Sequence, residues 1–260
     1  MLNHIMEKRK MELIGLEIPI IPEENNLGIK YLADLLSSYP LKNGDIIVIA
    51  ETIISKLERN IIKKEDVKPT PLAHELAEKL DKSPEVLQVI LDQSKEILKI
   101  GDKFIITETK HGIVCANSGV DESNVKDAIK PLPEDPDKSA SLLRSMIEKK
   151  IGIKIGVIIN DSMGRPFRRG SCGVAIGVSG VCAIWDRKGE NDLFNRPLKS
   201  TEVAIGDELA AAASVLMGQS NEGIPIVIIR GAPVPFTEGK GKDLIRPKEE
   251  DIFRDNKSNK

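Results

Sequence analysis

The sequence IGIKIGVIINDSMGRPFRRGSCGVAIGVSG, residues 151–180, is the stretch on which the fold prediction rests. Its β-branched apolar run Val157-Ile158-Ile159 is too short for a free-standing helix and predicts a buried strand. A second apolar run at 174–178 predicts the next strand, and Met163-Gly164-Arg165-Pro166 between them predicts a turn. We therefore expect two neighbouring strands joined by a short connection.

Charged side chains surround this predicted turn. Asp161 lies where the first strand should end, and Arg165, Arg168 and Arg169 follow shortly after it. A carboxylate supplies hard oxygen ligands for a divalent cation, and guanidinium groups bind phosphate or carboxylate oxygens in pairs. The pattern therefore favours a site for a phosphate and its cation. The same residues also fit a plain strand–turn–strand in which the aspartate caps the turn and the arginines are solvated.

The composition of the 260 residues limits the classes of protein to consider. With a formal net charge of −2 and 30% charged residues, the chain lacks the basic excess of a nucleic-acid binder, so we expect no nucleic-acid partner. Three cysteines without a C-x-x-C pair argue against a disulfide scaffold or zinc site and predict a cytoplasmic setting. The charged N-terminal residues do not resemble a signal peptide, and no apolar run reaches membrane-spanning length, so we expect no membrane partner.

Apolar periodicity and capping residues predict alternating strands and helices along the rest of the chain. Predicted helices cover 27–38, a segment containing Leu72, Leu76 and Leu80, 83–98, 139–149, and 201–217 with Gly218 as its end. Predicted strands cover 46–50 and 226–229, a hairpin covers 104–116, and a strand within 11–22 runs into a proline-bounded loop. His111 falls in the hairpin turn, and His4 and His74 are expected at the surface. The charged tail from residue 240 onward is expected to be loosely held.

Two further segments place polar groups at strand ends. Glu51, Thr52 and Lys56 follow the predicted strand 46–50, which is a usual position for ligand-binding groups. A helix start with a surface lysine explains the same residues. Asp121 and Asn124 belong to a polar loop, 117–124, which offers oxygen ligands but also fits a plain Asp/Asn/Gly loop.

The segment KPLPEDPDK, residues 130–138, contains three prolines and predicts an exposed connector. It could join two subdomains within a single domain that spans 1–260. The sequence contains no phosphate-binding G-x-x-x-x-G-K-[ST] loop, G-x-G-x-x-G fingerprint, G-x-S-x-G elbow, H-E-x-x-H helix or kinase signature. Residue patterns by themselves therefore predict an α/β-type protein that suits metal-assisted phosphate chemistry, and they do not identify its substrate.

With its segments in place, the chain resembles the coenzyme F420-0:γ-glutamyl ligases along nearly its whole length. The most specific parts are GVIINDSMGRPFRRG (156–170), VAIGVSG (174–180), VAIGDELAAAASVLMGQ (203–219) and EGIPIVIIRG (222–231). Ser162 stands where threonine is common in the family, and both residues offer a hydroxyl. The resemblance implies an α+β fold with mixed sheets and helices in two subdomains, an intertwined homodimer, and the short, single-activity archaeal-type form.

The resemblance also implies substrates, cations and site residues. GTP, L-glutamate and coenzyme F420-0 would be the substrates, with two divalent cations, Mn²⁺ or Mg²⁺, and a stimulating K⁺. The first divalent cation would fall on Asp121 and Asp161, and the second on Ser162 and Gln219. Apart from the resemblance, their charges make Asp161, Arg165 and Arg168 our predicted catalytic residues, and the arginines, with Arg169, could hold the acidic substrates. GTP contacts would fall on Ile18, Pro19, Ile20, Ile21, Glu51, Thr52, Lys56, Asn124, Met217 and Gly218.

The chemistry explains why such groups are needed. A carboxylate is a poor electrophile, so transfer of the γ-phosphoryl group of GTP would make an acyl phosphate for the amine of glutamate to attack. Positioning and charge neutralisation would be the main tasks of the protein. The alternatives are a metal-dependent phosphatase or nucleotidyl transferase, and a nucleotide-binding protein without turnover.

Overall fold

The computed structural model describes residues 9–254, so His4 and the start of the N-terminal segment considered above lie outside the described residues. Six α-helices, twelve strands and four short 3₁₀ helices form in this part of the chain. In chain order the strands and α-helices are β1 (Glu12–Leu16), α1 (Gly28–Ser38), β2 (Ile46–Ala50), α2 (Glu51–Leu57), β3 (Ile62–Lys63), α3 (Pro71–Leu80), α4 (Pro84–Gln93), β4 (Ser94–Ile100), β5 (Ile105–Thr109), β6 (Val114–Ala116), β7 (Ala128–Ile129), α5 (Pro136–Ile151), β8 (Gly156–Arg165), β9 (Arg168–Ser179), β10 (Trp185–Asp186), β11 (Glu202–Val203), α6 (Ile205–Met217) and β12 (Ile226–Arg230). The 3₁₀ helices are Lys64–Asp66, Asn117–Gly119, Gly241–Leu244 and Lys248–Glu250.

A five-stranded mixed sheet in the order β1-β12-β2-β8-β9 organises the fold. Strands β2 and β8 run parallel, and the other neighbours are antiparallel. The central strands are apolar at every position from Ile46 to Ile49 and from Val157 to Ile159, because both faces of the sheet are covered. The prediction of strands in the 151–180 stretch is confirmed. The first strand does not end at Asp161, and the turn predicted at 163–166 begins too early, because pairing with β9 continues β8 to Arg165 and leaves the turn at Pro166 and Phe167.

Two apolar cores lie on the two faces of this sheet, as the two-residue alternation of a strand requires. Ile47 and Ile49 face the core that contains buried residues of α1, α2 and α5, whereas Ile46 and Val48 face the core built with α6. A third core joins α3 and α4 to Ile105 and Ile129, beside the three-stranded sheet β4-β5-β6. The prediction of mixed sheets covered by helices is confirmed.

The predicted helix 83–98 is wrong in its last five residues. Ser83 caps α4 and the helix ends at Gln93, after which Ser94–Ile100 forms strand β4. β4 pairs antiparallel with β5, and these contacts with a neighbouring strand compete with the local helical pattern. The helix ends where the chain gains ladder hydrogen bonds that a helix could not make.

The prediction of an exposed connector is wrong in part, and the tail predicted to be loosely held makes ion pairs with the rest of the protein. Residues 130–133 of the proline-rich segment are buried, because Ile129 packs into the third core and Leu132 into the core beside α5. The division into two subdomains stays a prediction. The tail packs onto the protein up to residue 254, where Lys248 and Arg254 each place a nitrogen 2.7 Å from Glu108 Oε2.

His74 is exposed and His111 lies in the hairpin turn, as predicted. Within residues 9–254, no helix combines the length and the apolar character needed to cross a bilayer.

Candidate active site

Four segments of the chain meet at one edge of the central sheet. β2 and β8 are parallel and in register at Ala50 and Asn160. Glu51 therefore leaves the end of β2 beside Asp161, which lies within β8 and pairs there with Val174 of β9. β1 ends beside the start of β12, where Leu16 pairs with Ile226. The segments after β1 and before β12 therefore arrive at the same edge. Strand directions thus explain why residues far apart in sequence share one place.

A cleft of about 310 Å³ opens at this edge. It is lined by every residue that the resemblance implied for GTP or cations: Ile18, Pro19, Ile20, Ile21, Glu51, Thr52, Lys56, Asp121, Asn124, Asp161, Ser162, Met217, Gly218 and Gln219. The structure therefore brings these residues together, and their roles as ligands stay predictions. A second cavity of about 280 Å³ reaches the same acidic residues and is also lined by Cys115, Met163 and Gly164.

Arg165 and Arg168 lie elsewhere. They pair across the last position of the β8–β9 hairpin, next to its turn, and neither lines the cleft. Four residues of extended strand separate Arg165 from Asp161, which is about 13 Å at the usual rise of a strand. Within one chain these two arginines are not brought to the carboxylates, and their catalytic role stays a prediction.

The floor of the cleft carries an acidic cluster, defined here as the carboxylates of Glu51, Asp121 and Asp161. Lys130 Nζ lies 2.7 Å from Glu51 Oε1 and 4.0 Å from Asp121 Oδ2. Glu51 is 7% exposed and its Oε2 has no hydrogen-bond partner. Three negative charges against one positive charge leave the cluster formally two charges negative.

Electrostatics reflect this crowding. Desolvation, with the neighbouring Glu51 carboxylate, raises the pKa of Asp161 to about 7. Desolvation, with the nearby Asp161 carboxylate, raises the pKa of the Cys115 thiol to about 12. Desolvation also acts to raise the pKa of Asp121, but hydrogen bonds from Ser123 and the charge of Lys130 lower it overall. An ion that brings positive charge would therefore relieve the strongest conflict in the cluster.

Local structure holds the polar groups in place. Asp121 Oδ1 accepts hydrogen bonds from the backbone N–H groups of Glu122 (2.8 Å) and Ser123 (3.0 Å), which shapes the loop that carries Asn124. Ser162 Oγ donates to Gln219 Oε1 at 2.8 Å, so the two residues implied for the second cation touch each other. Gly218 ends α6 with a φ of 69°, which turns the chain toward Gln219.

Lys56 is not the surface lysine of the alternative interpretation. Its side chain is buried beside the cleft, and Nζ donates to the Ile21 carbonyl at 3.2 Å. Desolvation lowers the pKa of Lys56. A buried ammonium with only this one protein partner retains donors that a phosphate group could accept from.

A cation fits the donors at this edge only in part. Within residues 9–254, no group of three or more His, Cys, Asp or Glu side chains is arranged to hold a metal ion by itself. The unpartnered Glu51 oxygen and the raised pKa of Asp161 show, however, that the carboxylates lack compensating charge. Hard carboxylate and amide oxygens suit Mg²⁺ and Mn²⁺. A cation here would need additional oxygen donors, which water molecules or a bound ligand would supply.

Sequence reasoning missed Lys130 and undervalued Asn160. Lys130 was placed in the exposed connector, yet it is completely buried. The available signal was a single charged residue between Ile129 and Pro131-Leu132 in an otherwise apolar run. Asn160 is buried and its Nδ2 donates to Ser214 Oγ at 3.1 Å, which ties the middle of β8 to α6.

Comparisons with known proteins agree with the resemblance. A family profile described as F420-0:Gamma-glutamyl ligase matches residues 15–231, which include every predicted site residue. A protein of Methanococcus maripaludis named Coenzyme F420:L-glutamate ligase is 67% identical over 250 residues, covering 96% of this chain and 100% of that protein. Proteins of the same name from Methanocaldococcus jannaschii and Methanothermobacter thermautotrophicus are 62% and 49% identical, and cover 96% and 94% of this chain and 99% of each relative.

Proposed function

Because the chain belongs to the F420-0:gamma-glutamyl ligase family, we propose that it joins L-glutamate to coenzyme F420-0 through γ-glutamyl linkages, with GTP as the energy source. One observation carries the proposal for the nucleotide and its cations. The residues implied for them come from five separate segments and line a single cleft. Such convergence is what a binding site at the edge of a mixed sheet requires.

The reaction needs an activated acid. Transfer of the γ-phosphoryl group to a carboxylate of the acceptor forms an acyl phosphate, and the amine of glutamate then displaces phosphate. The protein has little covalent chemistry to perform in such a sequence, so its work is positioning and charge stabilisation. The acyl phosphate also has to be kept from water, which favours a cleft over an open surface.

Lys56 and the backbone around it are the groups we propose for the phosphates. Its ammonium lies inside the cleft beside the 18–21 segment, whose apolar side chains would cover the nucleotide. Asp121 and Asp161 would hold one divalent cation, and Ser162 and Gln219 would take part in holding a second. Divalent cations bound there would neutralise phosphate charge and keep the phosphates in line. The stimulating K⁺ is proposed on the family resemblance alone.

A homodimer is also part of the proposal. Several large apolar side chains stand exposed on the single chain, among them Phe167 (90%), Leu193 (99%) and Phe194 (81%). Phe167 occupies the tip of the β8–β9 hairpin between the two arginines. A partner chain that covers this arm would bury the apolar groups and could receive Arg165 and Arg168 at its own cleft. Light scattering at micromolar concentration should give twice the chain mass, and a monomer would refute the dimer.

The free cysteines agree with work in the cytoplasm, which we propose as the location. Cys115, Cys172 and Cys182 are all unpaired thiols. Reduced thiols are the rule in that compartment.

The activity is tested by mass spectrometry of a mixture of the protein, GTP, Mn²⁺, L-glutamate and coenzyme F420-0. The expected result is an acceptor carrying one or more added glutamyl residues, with GDP and phosphate released only when glutamate and acceptor are both present. Asp161→Asn should abolish the product. Asp102→Asn, which makes the same chemical change at an exposed loop position, should leave it unchanged.

The competing functions give different results in the same mixture. Phosphate release that is indifferent to glutamate and acceptor would indicate a phosphatase. Transfer of a nucleotidyl group to the acceptor would indicate a nucleotidyl transferase. Binding of GTP without any turnover would indicate a nucleotide-binding protein.

A further inference from the structure

Lys130 lies against the acidic cluster, and no expected function explains its charge. Its side chain is fully buried at 0% exposure, and it is among the largest completely buried side chains of the described residues. Burying an ammonium is costly unless charged partners surround it. Its partners are two members of the acidic cluster, Glu51 and Asp121.

The backbone anchors Lys130 to one of these partners. Lys130 N–H donates to the Asp121 carbonyl at 2.8 Å, and Asp121 N–H donates to the Lys130 carbonyl at 3.0 Å. This isolated β-bridge holds the loop that carries Asp121 against the buried segment that carries Lys130. The position of the ammonium is therefore set by the same element that sets the position of Asp121.

Lys130 also decides which oxygen of Glu51 is available. Glu51 Oε1 accepts from Lys130 Nζ at 2.7 Å and from Thr52 Oγ1 at 2.8 Å. Oε2 has no partner, although Glu51 lines both cavities that meet at the acidic cluster. An unpartnered carboxylate oxygen in a side chain more than nine-tenths buried is expensive unless something else binds it.

We propose that Lys130 is the built-in counter-charge of the acidic cluster: it leaves two negative charges for a divalent cation and turns Glu51 Oε2 toward that cation. Lys130 is thus a positioning residue that acts through Glu51 and Asp121. The inference rests on the cation site of the proposed function. It adds Glu51 to the groups that face the cation, in addition to the nucleotide contact implied by the resemblance.

A purely structural ion pair is the competing explanation, and the chain contains a matched example. Asp45, at 0% exposure, accepts from Arg230 Nε at 2.8 Å and Nη2 at 2.7 Å. Asp45 precedes β2, whereas Glu51 follows it, so the two buried pairs lie at opposite ends of one strand. Breaking either pair removes a buried interaction, but only Lys130 adjoins the acidic cluster.

The test measures binding of Mg²⁺ alone by calorimetry, with unfolding temperatures recorded with and without Mg²⁺. A buffer at about pH 8.5, above the pKa of Asp161 of about 7, keeps Asp161 charged. The variants are Lys130→Met, Glu51→Gln, the double variant and the control Arg230→Met. The formal charge of the acidic cluster together with residue 130 is −3 in Lys130→Met and −1 in Glu51→Gln. It is −2 in the double variant and in the control, as in the parent chain.

Charge counting predicts the order of affinity. Lys130→Met should bind Mg²⁺ about tenfold more tightly than the parent chain or better, since one unit of positive charge leaves the site. Glu51→Gln should bind about tenfold more weakly or worse, and adding Lys130→Met to it should recover the loss. Arg230→Met should lower the unfolding temperature equally with and without Mg²⁺. If Lys130→Met does not fold, the comparison of Glu51→Gln with the double variant asks the same question.

The outcomes separate this inference from the proposed function. If the parent chain binds Mg²⁺ but Lys130→Met changes the affinity neither in the parent chain nor in Glu51→Gln, the counter-charge is overturned. The proposed cation site is unaffected by that result. The absence of Mg²⁺ binding from the parent chain and all variants overturns both. The predicted order, with an unaltered affinity in Arg230→Met, supports the counter-charge.

Discussion

Asp161→Asn should make the protein more stable when no metal is present, although it destroys the proposed cation site. The substitution keeps the size of the side chain and one oxygen. The hydrogen bond that Asp161 Oδ1 accepts from Ser162 N–H at 2.6 Å can therefore persist. What the variant removes is a desolvated negative charge beside the carboxylates of Glu51 and Asp121.

The size of the effect follows from the pKa of Asp161. A rise from the ordinary value of 3.8 to about 7 means that the folded protein holds the proton more tightly than the unfolded chain does. The free energy of unfolding therefore falls as the pH rises between these two values and levels off above them. The full difference corresponds to at most about 4 kcal/mol. Because the amide must also be desolvated, we expect a gain of about 2 kcal/mol, or roughly 5 °C in unfolding temperature.

The assay is thermal unfolding in EDTA from about pH 3 to pH 8.5, an interval that spans both pKa values. The advantage of Asp161→Asn over the parent chain should be absent at the acid end, grow through the interval and be constant above it. Asp102→Asn, at an exposed position, should change stability by no more than about 0.5 kcal/mol at every pH. A variant less stable than the parent chain above neutral pH, or an advantage independent of pH, would refute this reasoning.

The same variant should lose any stabilisation by Mn²⁺, and turnover should collapse. Asp121→Asn should behave alike in turnover, and the double variant should cost little more than either single one, because one site is destroyed once. Independent and additive losses of turnover would contradict a shared cation.

Three further predictions concern the nucleotide, the cations and the tail. Lys56→Met should weaken GTP binding about tenfold or more. It should lower the free energy of unfolding by only about 1 kcal/mol, because one ordinary hydrogen bond is lost. Calorimetry measures the GTP affinity, with the exposed Lys30→Met as control, and equal affinities in the two variants would exclude a phosphate contact. Without nucleotide the chain should bind one divalent cation, and with GDP it should bind two. Ser162 and Gln219 offer only neutral oxygens, so the second cation needs the negative charge of a phosphate beside it. Two tight cation sites in the nucleotide-free protein would contradict this reasoning. Glu108→Gln should lower the free energy of unfolding at neutral pH by about 1.5–3 kcal/mol through lost contacts with the tail. Burial opposes ionisation of Glu108, but hydrogen bonds from the tail lower its pKa from 4.5 to about 2. The stabilisation by the Glu108 carboxylate should therefore be complete above pH 4.5 and vanish as the pH falls toward 2. If Glu108→Gln remains less stable than the parent chain below that pH, the loss comes from packing instead.

Local patterns were sufficient for most elements. The runs Ile46–Ala50 and Val157–Ile159 have no polar residue, which predicted central strands, and they occupy the middle of the sheet. Gly218 ended α6 as its position indicated, and Ser83 capped α4. Such signals are readable because caps and periodicity act within a few residues of the chain.

The candidate site was predicted through the family resemblance more than through spacing. Spacing identified Asp121 and Asp161 as polar groups after strands, but gave no reason for them to meet. The sheet supplied part of that reason, because β2 runs parallel to β8 and its last residue, Ala50, pairs with Asn160, next to Asp161. Strand order is decided by pairing between distant segments, for which a single sequence carries no direct signal.

What the sequence by itself determined, then, is which residues form strands and helices and which segments carry chemistry-bearing side chains. The tertiary structure alone decided that Ser94–Ile100 is a strand, because its pairing with β5 outweighs a local helical pattern. It also decided that Lys130 is interior, since its charge is compensated by Glu51, which lies 79 positions earlier in the chain. Periodicity reports on neighbours within a few turns, whereas the cost of burying a charge depends on partners that only the folded chain brings near.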